Sequence, residues 1–136
     1  MDIFKSELTN NTPLVLLDHN KNLIEFEGDS RPEDVQKFYR PIIEWLENYE
    51  KHLSSVKDNT SRKITTTCNF KFEYFNSSSV KYVMDIILKL GEITTSNGVL
   101  LVLNWYYDEQ DEDMKESGEE FEDMLDIKFN YHSIAE

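Results

Sequence analysis

Three consecutive hydroxyls, Ser77, Ser78 and Ser79, follow Asn76 at the point where an alternating apolar run gives way to a helical one. A strand that ends in a helix start places free backbone N–H groups beside those hydroxyls, and a phosphate is held most easily there. The chemistry open to them is therefore phosphoryl acceptance. A plainer reading is a helix cap, in which one serine accepts from the backbone and its neighbours are merely polar. Caps are common, so the plain reading has weight. A nucleophilic serine is a third reading, but it needs a base within reach and usually a tight G-x-S-x-G turn. No glycine flanks these serines, and His19, His52 and His132 fall in a turn, near a helix end and near the C-terminus. Hydrolase chemistry is set aside on those grounds.

A second group is the acidic run Asp108, Glu109, Asp111, Glu112 and Asp113. Carboxylates at this density could hold a hard divalent ion. The run lacks the glycine and terminal glutamate of an EF-hand loop, so no metal or other cofactor is assigned. A solvated charge run is the bland alternative. Between the two lies recognition of a basic surface on a partner. Cys68 falls on the inward face of a strand and reads as a small hydrophobe rather than a reactive thiol.

The elements that must position these groups follow from periodicity. Residues 1–13 read as a frayed end or a short edge strand. Leu14 to Leu17 and Leu23 to Glu27 form a hairpin around the turn residues 18–22. Ser30 and Glu33 have capping-box spacing ahead of a first helix with Pro32 in its opening turn. Val35, Phe38, Tyr39, Ile42, Leu46 and Tyr49 mark its apolar face. Pro41 is expected to bend this helix rather than end it, and the end is expected near Lys51, with a polar linker from Leu53 to Arg62. Trp45 lies off the stripe, either as an exposed anchor or packed under that linker.

Ile64 to Phe75 alternates as a strand, with Ile64, Thr66, Cys68, Phe70, Phe72 and Tyr74 inward. The serines then cap a second helix that buries Val80, Val83, Met84, Ile87 and Leu90 and stops at Ser96-Asn97-Gly98. Val99 to Tyr107 is nearly continuous in apolar residues, which predicts a central strand covered on both faces, with Trp105 in the core. Met114 to Leu125 reads as a third helix with Met114, Phe121, Met124 and Leu125 inward, and Ile127, Phe129 and Tyr131 as a last strand. The order ββαβαβαβ implies one α/β domain over residues 1–136, with a mixed, mostly parallel sheet and helices packed against it. Asn76–Ser79 and Asp108–Asp113 then share one edge, at carboxyl ends of strands.

Charge bounds the partners. With 27 acidic against 14 basic side chains, the net charge is −13. Nucleic acid and membrane surfaces both require a basic footprint, so neither is expected. No apolar run reaches membrane-spanning length, and the N-terminal MDIFKSELTN has no apolar core of a signal peptide. A lone cysteine suits a reducing compartment, and the chain is read as cytoplasmic.

Four segments carry a resemblance: GDSRPED from Gly28, FYRPIIEWLENY from Phe38, FKFEYFNSSSVKYVMDIILKL from Phe70 and NWYYDEQDEDMKESGEEFE from Asn104. Together they resemble the SiaC family of bacterial regulatory phosphoproteins. FNSSS and WYYDEQDEDM are the specific parts, and the helical stripe is not. The element order is similar to the STAS fold of anti-anti-sigma factors, in which a serine at a helix start is phosphorylated. The resemblance implies a non-catalytic partner-switching protein. A kinase of the anti-sigma type would modify the corner and a PP2C-type phosphatase would reverse it. The unmodified form would bind a downstream signalling protein such as a diguanylate cyclase, so the output would be cyclic di-GMP signalling. The family's modified residue directly follows the asparagine, a place held here by Ser77, with Ser78 as the alternative. Asn76, Ser78, Ser79, Asp108, Asp111 and Asp113 are the expected partner-binding residues. The competing reading is a small acidic adaptor whose serines only cap a helix, and a weaker one is a metal-dependent enzyme using the acidic run.

Overall fold

The computed structural model describes residues 1–57 and 63–135. Among the described residues six strands form one sheet in the order β1-β2-β3-β4-β5-β6, so every strand pairs with its sequence neighbour. β1 (Phe4–Ser6), β2 (Leu14–Asp18) and β3 (Leu23–Ser30) are antiparallel. β3, β4 (Thr65–Phe75), β5 (Leu100–Asp108) and β6 (Asn130–Ile134) are parallel, joined by α1 (Val35–Lys57), α2 (Ser77–Ser96) and α3 (Glu112–Leu125). Residues 1–13 thus contribute an edge strand, one of their two expected forms. The remaining order is the expected ββαβαβαβ.

All three crossovers step the same way along the sheet. Crossovers of one hand then put all the helices on one face. Burial alternates accordingly: Ile24, Phe26, Thr66, Cys68, Phe70, Phe72, Leu103 and Trp105 are buried under the helices. Glu25, Asn69, Lys71, Asn104 and Tyr106 lie on the other face, half-buried and polar. Here the structure corrects the expectation for β5. Its apolar run is not covered on both faces, and Leu100 is exposed. Burial pushes the Cys68 thiol well up, which fits the role of a packed hydrophobe.

Helix α1 differs from its expected bounds at both ends. Ser30 does not cap it. Strand β3 continues through Ser30, which is fully buried, and Asp34 caps instead, its carboxylate accepting from the Lys37 amide at 3.0 Å. The helix passes through the exposed Pro41, as expected, because Tyr39, Ile42, Leu46 and Tyr49 remain in register across it and are buried. It also runs past Lys51 to Lys57 and buries Leu53, so the start of the expected linker is helical; residues 58–62 of that linker lie outside the described residues. Trp45 is buried. Its indole N–H donates to the Asp2 carbonyl at 2.8 Å, so the N-terminal segment packs over it and it is not an exposed anchor.

β4 carries the other correction. The register between β3 and β4 shifts at Gly28/Asp29, where Phe72 pairs with Gly28 and Tyr74 with Asp29, leaving Glu73 as an extra residue. The face therefore changes after Phe72. Tyr74 is exposed, and Phe75 turns in to pack between Trp105 and Phe121. Gly28 at φ +106° allows the bulge, and a Cβ there would run into Leu8. On α3, Met114 and Phe121 are buried as expected and Leu125 packs at the core margin, but Met124 is exposed.

Candidate functional site

The site is the junction of β4 and α2, where the chain leaves the carboxyl edge of the sheet. Asn76 is the N-cap of α2 with extended backbone, and its side chain accepts from the Ser79 amide at 3.0 Å. The cap is therefore Asn76 and not a serine, as suits a residue type at the top of the N-cap ranking. This leaves the three serine hydroxyls without a capping duty, and their surroundings differ.

Ser77 is the first helical residue. It is exposed, and its hydroxyl has no partner among the described residues. Ser78 is also exposed, but its hydroxyl donates to Asn76 Oδ1 at 2.9 Å. Ser79 is fully buried. Its hydroxyl donates to the Ser30 carbonyl at 3.1 Å and lies 2.9 Å from Ser30 Oγ, which in turn bonds the Tyr39 hydroxyl. The Ser30 carbonyl also accepts from the Asn76 amide at 3.0 Å. Ser79 thus sits behind the surface, where a partner cannot touch its side chain, and anchors the corner to the end of β3. Burial pushes the Tyr39 hydroxyl up, against the lowering effect of its serine partners.

Ser30 and Tyr39 were read from the sequence as a cap and a core residue. Their place in the site was legible in one respect: Ile24, Phe26, Gly28 and Ser30 share the inward face of β3 by strict alternation.

The acidic run lies at the carboxyl end of β5, parallel to β4, and so on the same edge of the sheet as the serines. Two of its carboxylates hold backbone. Asp108 accepts from the Gln110 amide at 2.9 Å, and Asp111 caps α3 by accepting from the Met114 amide at 3.0 Å. Glu109, Glu112 and Asp113 are exposed. Trp105 fixes this turn from below, its N–H donating to the Met114 carbonyl at 2.9 Å. Beside it, Glu27, Phe72, Glu73, Tyr106, Tyr107, Asp108 and Asp111 line a groove on the open face of the sheet that does not include the serines. Among the described residues no group of three His, Cys, Asp or Glu side chains is arranged to hold a metal ion, and no helix is long and apolar enough to cross a membrane.

Of the three helix starts on this edge, those of α2 and α3 differ in charge. The first turn of α3 already carries Glu112 and Asp113 after its Asp111 cap, whereas the first turn of α2 has no acidic residue. The positive end of the α3 dipole is complemented by its own side chains, and that of α2 is open to an added negative charge.

Comparison with known proteins bears on the fold and the family. Residues 6–134 match the family model of the SiaC family regulatory phosphoproteins. An uncharacterised protein of Pseudomonas aeruginosa is 29% identical over 121 residues, covering 89% of this chain and 88% of that relative. The crystal structure of apo-SiaC from Pseudomonas aeruginosa superposes with a TM-score of 0.80 at 25% identity, covering 98% of this chain and all of that one. SiaC in its complex with the diguanylate cyclase SiaD, which it activates, superposes with a TM-score of 0.79 at 26% identity, covering 96% and 99% of the two chains. With the family model spanning nearly the whole chain and the STAS-like fold in common, this protein belongs to the SiaC family of regulatory phosphoproteins.

Proposed function

We propose that this chain is the switch of a cytoplasmic partner-switching system and that Ser77 is its phosphorylated residue. The observation that carries this reading is the contrast within the corner. Ser77 is exposed at the first position of α2 with a hydroxyl that has no partner among the described residues, while Ser78 is engaged by Asn76 and Ser79 is buried. A kinase needs an accessible hydroxyl, and Ser77 presents the least encumbered one. An anti-sigma-type kinase adds the phosphate and a PP2C-type phosphatase removes it. The unmodified chain binds a downstream signalling protein. A diguanylate cyclase is the output favoured here, by analogy with the relative whose complex with such an enzyme is known.

The magnitudes say how the switch works. A phosphate adds about −1.5 to −2 charge and three acceptor oxygens. The open dipole of α2 favours that charge by about 0.3–2 kcal/mol. Turning a 1:99 equilibrium into 99:1 takes about 5.5 kcal/mol. The dipole therefore makes the modified form acceptable without throwing the switch. Like-charge repulsion and steric conflict inside an interface reach several kcal/mol, and they supply the rest. The interface then includes the Ser77 corner and the acidic run from Asp108 to Asp113, and the partner is basic where it meets the latter.

The test is partner binding by Ser77→Asp and Ser77→Ala. Ser77→Ala binds as the wild type does and stays bound under phosphorylating conditions, while Ser77→Asp binds at least about tenfold more weakly, a loss of about 1.4 kcal/mol. Equal affinity of both folded variants for the partner would reduce Ser77 to a surface residue beside a helix cap.

A further inference from the structure

Beneath the corner lies a chain of hydroxyls whose proton directions can be worked out. Ser79 has one hydroxyl proton and donates it to the Ser30 carbonyl. Its oxygen, 2.9 Å from Ser30 Oγ, must then accept the Ser30 proton. Ser30 Oγ, having given its proton away, accepts from the Tyr39 hydroxyl. The chain runs one way, from Tyr39 to Ser30 to Ser79 to the Ser30 carbonyl. All three side chains are fully buried. Bonds in such a chain polarise and strengthen one another, and water cannot replace a broken link. Tyr39 is held in place to donate. Its ring stacks on Tyr82 of α2 at 5.2 Å and 11°, and Phe38 meets it edge-on at 5.0 Å. The raised pKa that burial gives the phenol keeps its proton in place.

We propose that Tyr39 is a positioning residue for the Ser77 corner: through Ser30 it fixes Ser79, and with it the first turn of α2, so that Ser77 is presented in one orientation. The same Ser30 carbonyl takes the Asn76 amide, so the N-cap and the third helical residue are both tied to the last residue of β3. Three elements thus converge on Ser30: β3 by its backbone, α1 by Tyr39 and α2 by Ser79. Ser77 and Ser78 lie between the two tied points. The proposal rests on the Ser77 reading only for what the presented hydroxyl is for. The tie itself can be measured whether or not Ser77 ever carries a phosphate.

The experiment is amide hydrogen exchange by NMR on the full chain, read at Ser79, Val80 and Lys81. Tyr39→Phe keeps the ring, its stacking and its burial and removes only the hydroxyl. The matched control is Tyr49→Phe on the same helix. Its buried hydroxyl bonds Asn22 at 2.8 Å and Thr66 at 2.7 Å, away from the corner. Tyr39→Phe, and Ser30→Ala as a second break in the chain, should speed exchange at these three amides about five- to tenfold, with Tyr49→Phe leaving them unchanged. Unchanged exchange at the corner in Tyr39→Phe, or an equal rise in Tyr49→Phe, would overturn the proposal and leave Tyr39 as an ordinary core residue. If the exchange result holds and Ser77 proves unmodified in the cell, the positioning role stands and the phosphosite reading falls.

Discussion

Asn76 Oδ1 accepts from the hydroxyl of Ser78 at 2.9 Å as well as from the amide of Ser79 at 3.0 Å, so one carboxamide both caps α2 and occupies the serine next to Ser77. Replacing Asn76 with Ala removes both bonds. The cap is worth about 1 kcal/mol, so the chain should melt roughly 3–5 °C lower. Asn76→Asp keeps an acceptor and should stay within about 1 °C of the wild type. Calorimetry or a circular-dichroism melt reads this directly. A wild-type melting temperature in Asn76→Ala would mean that the cap contributes nothing.

Gly118 on α3 faces Trp105, and a Cβ there would lie 2.6 Å from both Cδ1 and Nε1 of the indole. The indole cannot withdraw, because it is buried and bonded to the Met114 carbonyl. Gly118→Ala gains about 1 kcal/mol of helix propensity and loses about 1–3 kcal/mol to overpacking. The net effect should be a loss, seen as a lower urea midpoint with an unchanged slope. A higher midpoint would show that the indole has room to move.

What the chain made legible, and what it hid, follows from the range of the forces involved. The parallel strands, the three helices and the β4–α2 corner all announce themselves through periodicity within a dozen residues, and all are present, although α1 runs on to Lys57 instead of ending near Lys51 and the last strand is Asn130–Ile134, shifted past the expected Ile127 and Phe129. The cap on α2 was misassigned locally, since Asn76 outcompetes its serine neighbours for the Ser79 amide. Ser30 was misassigned because a capping-box spacing coincided with the last inward position of a strand, and tertiary burial prevailed. Tyr74 and Phe75 exchanged faces because the bulge at Gly28 is a property of two strands together, invisible in either alone. The bare outer face of β5 depends on which way the crossovers run. An apolar run cannot reveal that.

Alkaline stability should report Tyr49, one of two buried tyrosines of α1. Burial pushes Tyr49 from 10.0 to about 12, the Thr66 hydrogen bond opposing this only in part. The folded state then keeps a proton that the unfolded chain gives up, so the contribution is complete below pH 10 and is lost as pH rises from 10 to about 12. Two units correspond to roughly 2–3 kcal/mol at the end of that window. Tyr49→Phe should therefore lose less stability than the wild type between pH 9 and pH 11.5, both measured by urea unfolding. Parallel curves would place the alkaline sensitivity elsewhere.

Asp111 and Asp113 should act on partner association rather than on the fold, provided that the α3 cap is preserved. Asp111→Asn retains a capping side chain, and Asp113 is exposed, so the double Asn variant should melt within about 2 °C of the wild type. Its association rate with the downstream partner should fall several-fold, with a smaller change in dissociation and a weaker dependence on salt. An association rate unaltered at low ionic strength would remove the acidic run from the interface.

Which hydroxyl receives the phosphate is measured directly by tandem mass spectrometry of the chain phosphorylated by its cognate kinase. The predicted result is a phosphate on Ser77, absent from Ser77→Ala and retained in Ser78→Ala. A phosphate found on Ser78 with Ser77 unmodified, or full modification of Ser77→Ala, would contradict it.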